Sequence, residues 1–129
     1  MPGRRKILYV EDDYHNFLLV QRTLSVLPEV EVVNAPDAAA GLKMARDETP
    51  DLILVDVHLP EMDGIEMTRE LKADRQTADI PVVALTANVL KGERERALDA
   101  GCVDFVAKPF SLRPFRELVA KHLGIDVTF

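Results

Sequence analysis

Cysteine is nearly missing from this chain: Cys102 is the only one in 129 residues, so no internal disulfide can form. No Cys/His spacing fits a zinc site, and Cys102 reads as a packing residue. Long apolar runs are missing too, none approaching the roughly 18 residues of a membrane span. The first residues carry neither the apolar stretch nor the small-residue cleavage site of a secretory signal. Nor is there an excess of basic charge. The net charge is −6, whereas nucleic acid rewards a basic surface, so nucleic acid is not an expected partner. The only basic run, Arg4-Arg5-Lys6, reads as a solvated chain start. With no repeat, low-complexity stretch or linker, the expectation is one cytoplasmic domain over residues 1–129, without an output module or a membrane partner.

What is present is enough for a core. An apolar fraction of 47% is ordinary for a globular chain. At this length about two thirds of the unfolded surface can be buried. Four short apolar runs do not alternate, as expected of strands covered on both faces: 7–10, 52–55, 82–85 and 103–107. A weaker run, Val30-Glu31-Val32-Val33, carries a charge that suits a sheet edge. Helical patterns lie between them. Phe17, Val20, Leu24 and Leu27 form a stripe over 14–27, and residues 37–47 form an alanine-rich helix after Pro36. Segments 64–73 and 88–100 follow, the latter stopping at Gly101. A last stripe of Leu112, Phe115, Leu118, Val119 and His122 stops at Gly124. Five strand–helix units call for a doubly wound α/β fold, a five-stranded parallel sheet with helices on both faces.

Each apolar run ends on a chemically distinctive group. The first meets Glu11-Asp12-Asp13, the second Asp56, the third Thr86 and the fourth Lys108. Parallel neighbouring strands bring these ends to one sheet edge, where open α/β sheets bind ligands. Asp56 lies seven or eight residues before the next predicted helix, too far to cap it, and aspartate can act as a nucleophile toward phosphoryl groups. The acids at 11–13 would repel one another and Asp56 without a counterion. Magnesium, which takes oxygen ligands and keeps several waters, relieves that repulsion. One of the three, Asp13, is expected to cap the helix at 14–27. Thr86 could cap a helix at 88–100 or donate to a phosphoryl oxygen, and the two roles are compatible. Lys108 would stabilise transferred charge. The Lys108-Pro109 bond is a plausible cis peptide.

The segments ILYVEDD (7–13), LVDVHLPEMDG (54–64), ALTAN (84–88) and AKPF (107–110) resemble, in order and spacing, the receiver domain of two-component response regulators. The resemblance covers roughly residues 5–123, and single-domain members of the chemotaxis-receiver and DivK-like type are closest in layout. It implies a flavodoxin-like sheet in the order 2-1-3-4-5. It also implies that Asp56 accepts a phosphoryl group from a histidine kinase or histidine phosphotransfer protein. Glu11 and Asp12 match the family's acidic pair, with Asp12 the direct Mg2+ ligand and Glu11 acting through water. His58 matches a position that lends its backbone carbonyl to the metal. Thr86 and Lys108 match the hydroxyl and lysine that contact the phosphoryl group. Phe105 matches an aromatic switch position, although phenylalanine lacks the hydroxyl many members carry there, and a plain core role is the alternative. Members catalyse their own phosphorylation and dephosphorylation without being classed as enzymes, and a downstream protein reads the changed surface.

Three other functions compete with this phosphorylation switch. An unphosphorylated receiver-fold scaffold is disfavoured because the acceptor, acid pair and lysine are all present. A haloacid-dehalogenase-type phosphohydrolase wants a carboxylate where His58 stands. A flavin mononucleotide binder would set its phosphate against the acidic turn at 11–13, which has no glycine-rich loop.

Overall fold

The computed structural model describes residues 5–27, 29–87, 90–108 and 111–125. Five strands alternate with five helices: β1 (Arg5–Val10), α1 (Tyr14–Leu24), β2 (Val30–Ala35), α2 (Ala38–Glu48), β3 (Leu52–Asp56), α3 (Gly64–Ala73), β4 (Val82–Thr86), α4 (Glu93–Ala100), β5 (Asp104–Ala107) and α5 (Leu112–Leu123). The strands form one parallel sheet in the order β2-β1-β3-β4-β5, as expected. The order reverses next to β1, so β1 and β3 sit side by side with their carboxyl ends in the crevice where such sheets bind ligands.

Both faces of the sheet are covered, which explains the non-alternating strands. All five residues of β3 and all five of β4 are buried. Successive side chains go to opposite faces. Leu8, Val10, Ile53, Val55, Val82 and Ala84 pack with Ile65, Met67 and Leu71 of α3 and with Ala97 and Ala100 of α4. Ile7, Tyr9, Leu52, Leu54, Val83 and Leu85 pack with Phe17, Val20 and Leu24 of α1 and with Phe115 and Val119 of α5. Each such large apolar side chain contributes about 1.5–3 kcal/mol when fully buried. Glycine permits close approach at two points. A Cβ on Gly41 would lie 2.8 Å from both Met67 and Val10, and one on Gly64 would lie 2.5 Å from the backbone oxygen of Asp56. The second contact seats the start of α3 directly under the end of β3.

Helix ends follow their caps. Asp13 accepts from the N–H groups of His15 and Asn16, the expected capping role, and Asp37 and Asp63 cap α2 and α3. Gly101 and Gly124 close α4 and α5 in the left-handed region, as expected. Several expected boundaries shift. α1 ends at Leu24, and Leu27 stays buried in the turn beyond it. α4 begins at Glu93, because Gly92 adopts φ 77°, which a helix cannot include. Thr86 therefore lies too far upstream to cap α4. Leu112 belongs to the apolar stripe of α5 by spacing yet is 50% exposed, while His122 pairs with Asp104 at 3.3 Å. Cys102 is buried, as its packing role requires. The expected cis peptide involves Pro109, and most of the tail lies at 126–129, both outside the described residues. Ile125 packs beside α5 and donates its N–H to Ala120 O at 2.9 Å.

Candidate functional site

The chain turns sharply as β1 ends. Glu11 donates its N–H to Ala35 O at 2.9 Å, and the Asn34 amide bonds the carbonyls of Tyr9 and Glu11 at 3.2 and 3.1 Å. This fixes Glu11 as a buried carboxylate at the mouth of the crevice, 2% exposed, with Asp12 and Asp13 exposed beyond it. One strand over, Asp56 is 8% exposed. Its Oδ1 accepts the His58 N–H at 2.9 Å, and Gly64 N–H closes the following loop onto Val57 O at 2.9 Å.

Lys108 ties these acids together. Its backbone N–H donates to Thr86 O, anchoring it beside β4 at 2.6 Å. Its ammonium lies 3.1 Å from Glu11 Oε1 and 3.1 Å from Asp56 Oδ2. Glu11 Oε1 also accepts the Tyr9 hydroxyl at 3.0 Å, and Oε2 accepts the Asp13 N–H at 3.3 Å. Thr86 ends β4 with its side chain fully buried in the same row of strand ends.

The charges respond to this packing. Burial pushes the Asp56 carboxyl above its ordinary value, against the pull of Lys108 and of the His58 N–H. Burial also works to raise Glu11, but the Lys108 ammonium and the bonds it accepts hold it below the usual carboxylate range. Hydrogen bonding with Glu11 pushes Asp12 up. Burial, with the Glu11 charge beside it, drives the Tyr9 phenol far above its usual value, so Tyr9 remains a donor.

The structure thus brings together Glu11, Asp56 and Lys108 by direct contact, with Thr86 in the adjoining strand end and Asp12 at the rim. Asp13 is withdrawn into its cap. Among the described residues no three Asp, Glu, His or Cys side chains are grouped so as to enclose an ion by themselves. That donor set suits magnesium held by one or two carboxylates, a backbone carbonyl and its own waters. Asp12 and Asp56 could ligate it directly, and Glu11, which accepts from three donors, could act on it through water.

Two participants escaped sequence reasoning. Glu93, one of the mixed charges Lys91, Glu93, Arg94, Glu95 and Arg96, is 1% exposed, with Oε2 3.4 Å from His58 Nε2. Arg96 and Asp63 make a second, looser link at 4.0 Å between α4 and the loop after β3. Nothing in a run of mixed charges marks one carboxylate as buried. Tyr9, read as one more apolar strand residue, supplies a hydroxyl to Glu11. Its signal was available: residues two apart on a strand share a face.

Beside this crevice, Tyr9, Asn16, Leu19, Val20, Lys108 and Leu112 line a groove of about 360 Å³ between α1 and the start of α5.

Comparison with known proteins agrees with this architecture. The model of the response regulator receiver domain matches residues 7–120. The polar-differentiation response regulator DivK of Brucella abortus (strain 2308) is 38% identical over 120 residues, covering 93% of this chain and 97% of DivK. The receiver domain of the sensor histidine kinase PA1611 from Pseudomonas aeruginosa PAO1, solved with a magnesium ion coordinated in its active-site cleft, superposes with a TM-score of 0.84 at 34% identity. That match covers 95% of this chain and 99% of the other. A CheY-like receiver domain protein from Methanospirillum hungatei JF-1 superposes at 0.86 with 25% identity, covering 95% of each chain. With its fold, its strand-end groups and its relatives in agreement, this chain belongs to the response regulator receiver domains of two-component, phosphorelay signalling.

Proposed function

We propose that the chain, as a single receiver domain, is a phosphorylation-dependent switch in which Asp56 accepts a phosphoryl group from a histidine kinase or histidine phosphotransfer protein. The observation that carries this reading is the Lys108 ammonium suspended 3.1 Å from both Asp56 and Glu11 at the carboxyl edge of the sheet. An Asp56 oxygen forms the new P–O bond as the donor's P–N bond breaks, and the donor imidazole leaves. Lys108 stays beside Asp56 and takes up the charge that develops on the phosphoryl oxygens. The Thr86 hydroxyl sits at the adjoining strand end, where a phosphoryl oxygen would find a donor. Asp12, Asp56 and the His58 carbonyl would hold Mg2+, which when bound offsets negative charge on the phosphoryl oxygens. The magnesium in the cleft of the Pseudomonas relative supports that assignment.

The partner's approach has a physical basis. The groove of about 360 Å³ opens beside Lys108, and exposed Leu19 and Leu112 line it, an apolar landing for a helix presenting a phosphohistidine. Output would pass through α4, linked to the loop after Asp56 by Glu93–His58 and Arg96–Asp63. Phe105 is buried in the cluster that holds Ala97 and Ala100. Its ring can follow a movement of Thr86 and α4, but it has no hydroxyl to bond outward. A downstream protein would read the altered surface.

The experiment is incubation with acetyl phosphate and Mg2+, followed by separation of phosphorylated from unmodified chain. Wild type gains an acid-stable, base-labile phosphoryl group, and Asp56→Asn gains none. Equal labelling of the variant would move the acceptor elsewhere.

A further inference from the structure

We propose that Tyr9 is a positioning residue of this site: its hydroxyl fixes Glu11 as the anchor of Lys108 and keeps that carboxylate from ligating the cation directly. The inference rests on the assignment of Asp56 as phosphoacceptor.

Tyr9 is fully buried in β1, its ring 6.4 Å from that of Phe17 and lying in the apolar layer under α1 and α5. The single polar atom of its side chain donates to Glu11 Oε1 at 3.0 Å. The same oxygen accepts Lys108 Nζ at 3.1 Å, and the other accepts the Asp13 N–H at 3.3 Å. A glutamate is one methylene longer than an aspartate and has room to swing toward an ion near Asp12. Three donors hold it back. With Glu11 held, the ammonium has two fixed acceptors and sits beside the Asp56 oxygen it must serve. A phenylalanine would fill the same space against Phe17 and remove only the donor.

Removing that donor therefore has two opposite consequences. Lys108 is held less firmly, so phosphoryl capture slows. Glu11 gains a free lone pair to offer the cation, so magnesium binds more tightly. A residue that merely packs would change both in the same direction or neither.

The test compares wild type, Tyr9→Phe and Tyr14→Phe. Tyr14 is 60% exposed, and no hydrogen bond of its hydroxyl enters the site geometry, so Tyr14→Phe is the control for loss of a phenol. Magnesium affinity is measured by calorimetry on the unphosphorylated proteins, and phosphorylation by its rate with acetyl phosphate. Tyr9→Phe is expected to lose about tenfold in rate, the size of a hydrogen bond to a charged acceptor, while binding Mg2+ about threefold more tightly. Tyr14→Phe should match wild type in both. Parallel losses, or no change in either quantity, would overturn the proposal. If wild type takes no label, the parent reading fails, and the magnesium titration alone still decides the role of Tyr9. Should Tyr9→Phe not fold, proton NMR of wild type serves instead. A protected Tyr9 hydroxyl resonance that persists through the magnesium titration supports the proposal, and its loss on ion binding refutes it.

Discussion

Replacing Lys108 by methionine keeps most of the side chain's volume and deletes the ammonium in contact with Glu11 and Asp56. Those side chains are 1% and 11% exposed, and the lysine 15%, so water can screen little of what is left behind. At an effective dielectric of about 20, each 3.1 Å contact is a Coulomb attraction of roughly 5 kcal/mol, partly offset by what burying the ammonium costs. Breaking a buried pair by removing one partner typically costs about 3–5 kcal/mol. A loss near 3 kcal/mol is therefore expected in EDTA at neutral pH, a large share of the 5–15 kcal/mol typical of a domain. Asp56 supplies the internal check. Its folded pKa lies above its unfolded value, so its contribution to stability is full below the unfolded value and is lost as pH rises through the folded one. At neutral pH its charge is a liability, and Asp56→Asn should stabilise the fold. It should do so more strongly in the Lys108→Met background, where nothing offsets that charge. The chain has no tryptophan, so urea unfolding followed by far-UV circular dichroism is the natural assay for the four proteins of the cycle. A loss below about 1 kcal/mol for Lys108→Met, or an Asp56→Asn effect equal in both backgrounds, would refute the electrostatic account of the crevice.

Three further outcomes are expected. Gly64→Ala sets a methyl 2.5 Å from the Asp56 carbonyl oxygen, so backbone must shift; a destabilisation of about 1–3 kcal/mol should lower the melting temperature, and an unchanged melt would refute the contact. Asp13→Ala removes the acceptor for two N–H groups of α1 and should cost about 1 kcal/mol in urea, while magnesium affinity stays near wild type; a large fall in affinity would make Asp13 a ligand rather than a cap. Burial raises the Cys102 thiol, so at mildly alkaline pH it should react with a disulfide reagent far more slowly in the native protein than in urea. With the folded pKa above the unfolded one, stability should also decline as pH climbs beyond the ordinary thiol range, and equal native and denatured labelling rates would contradict the burial.

Much of this architecture could be read from the chain because its local signals agree with its packing. Strands β3 and β4 are buried on both faces, so they stand out as unbroken apolar runs, and glycine at 64, 101 and 124 punctuates helices where the backbone needs it. Asp56 and Lys108 were legible because each interrupts an apolar strand end with a charge that has no local partner. Where prediction strayed, a non-local contact had overridden the pattern. Leu112 fits the stripe of α5 by period but stands at the open groove, and Glu93 looks like its neighbours until the loop from β3 brings His58 against it. The start of α4 was misjudged because nothing before Glu93 in the sequence marks a boundary as clearly as the left-handed conformation that Gly92 adopts, φ 77°. Tyr9 was overlooked because an aromatic residue in a strand is ordinarily mere filling.

Lys108 and Glu11 lie 97 residues apart in sequence, and Lys108 and Asp56 lie 52 apart. During synthesis the acids emerge first and wait, unneutralised, until the fifth strand docks on the opposite flank of the sheet. Until then the carboxylates repel each other without the Lys108 ammonium that bridges them in the finished fold. The complete crevice is thereby made contingent on finished folding: a chain that has not yet docked its fifth strand leaves Glu11 and Asp56 without the counter-ion they share.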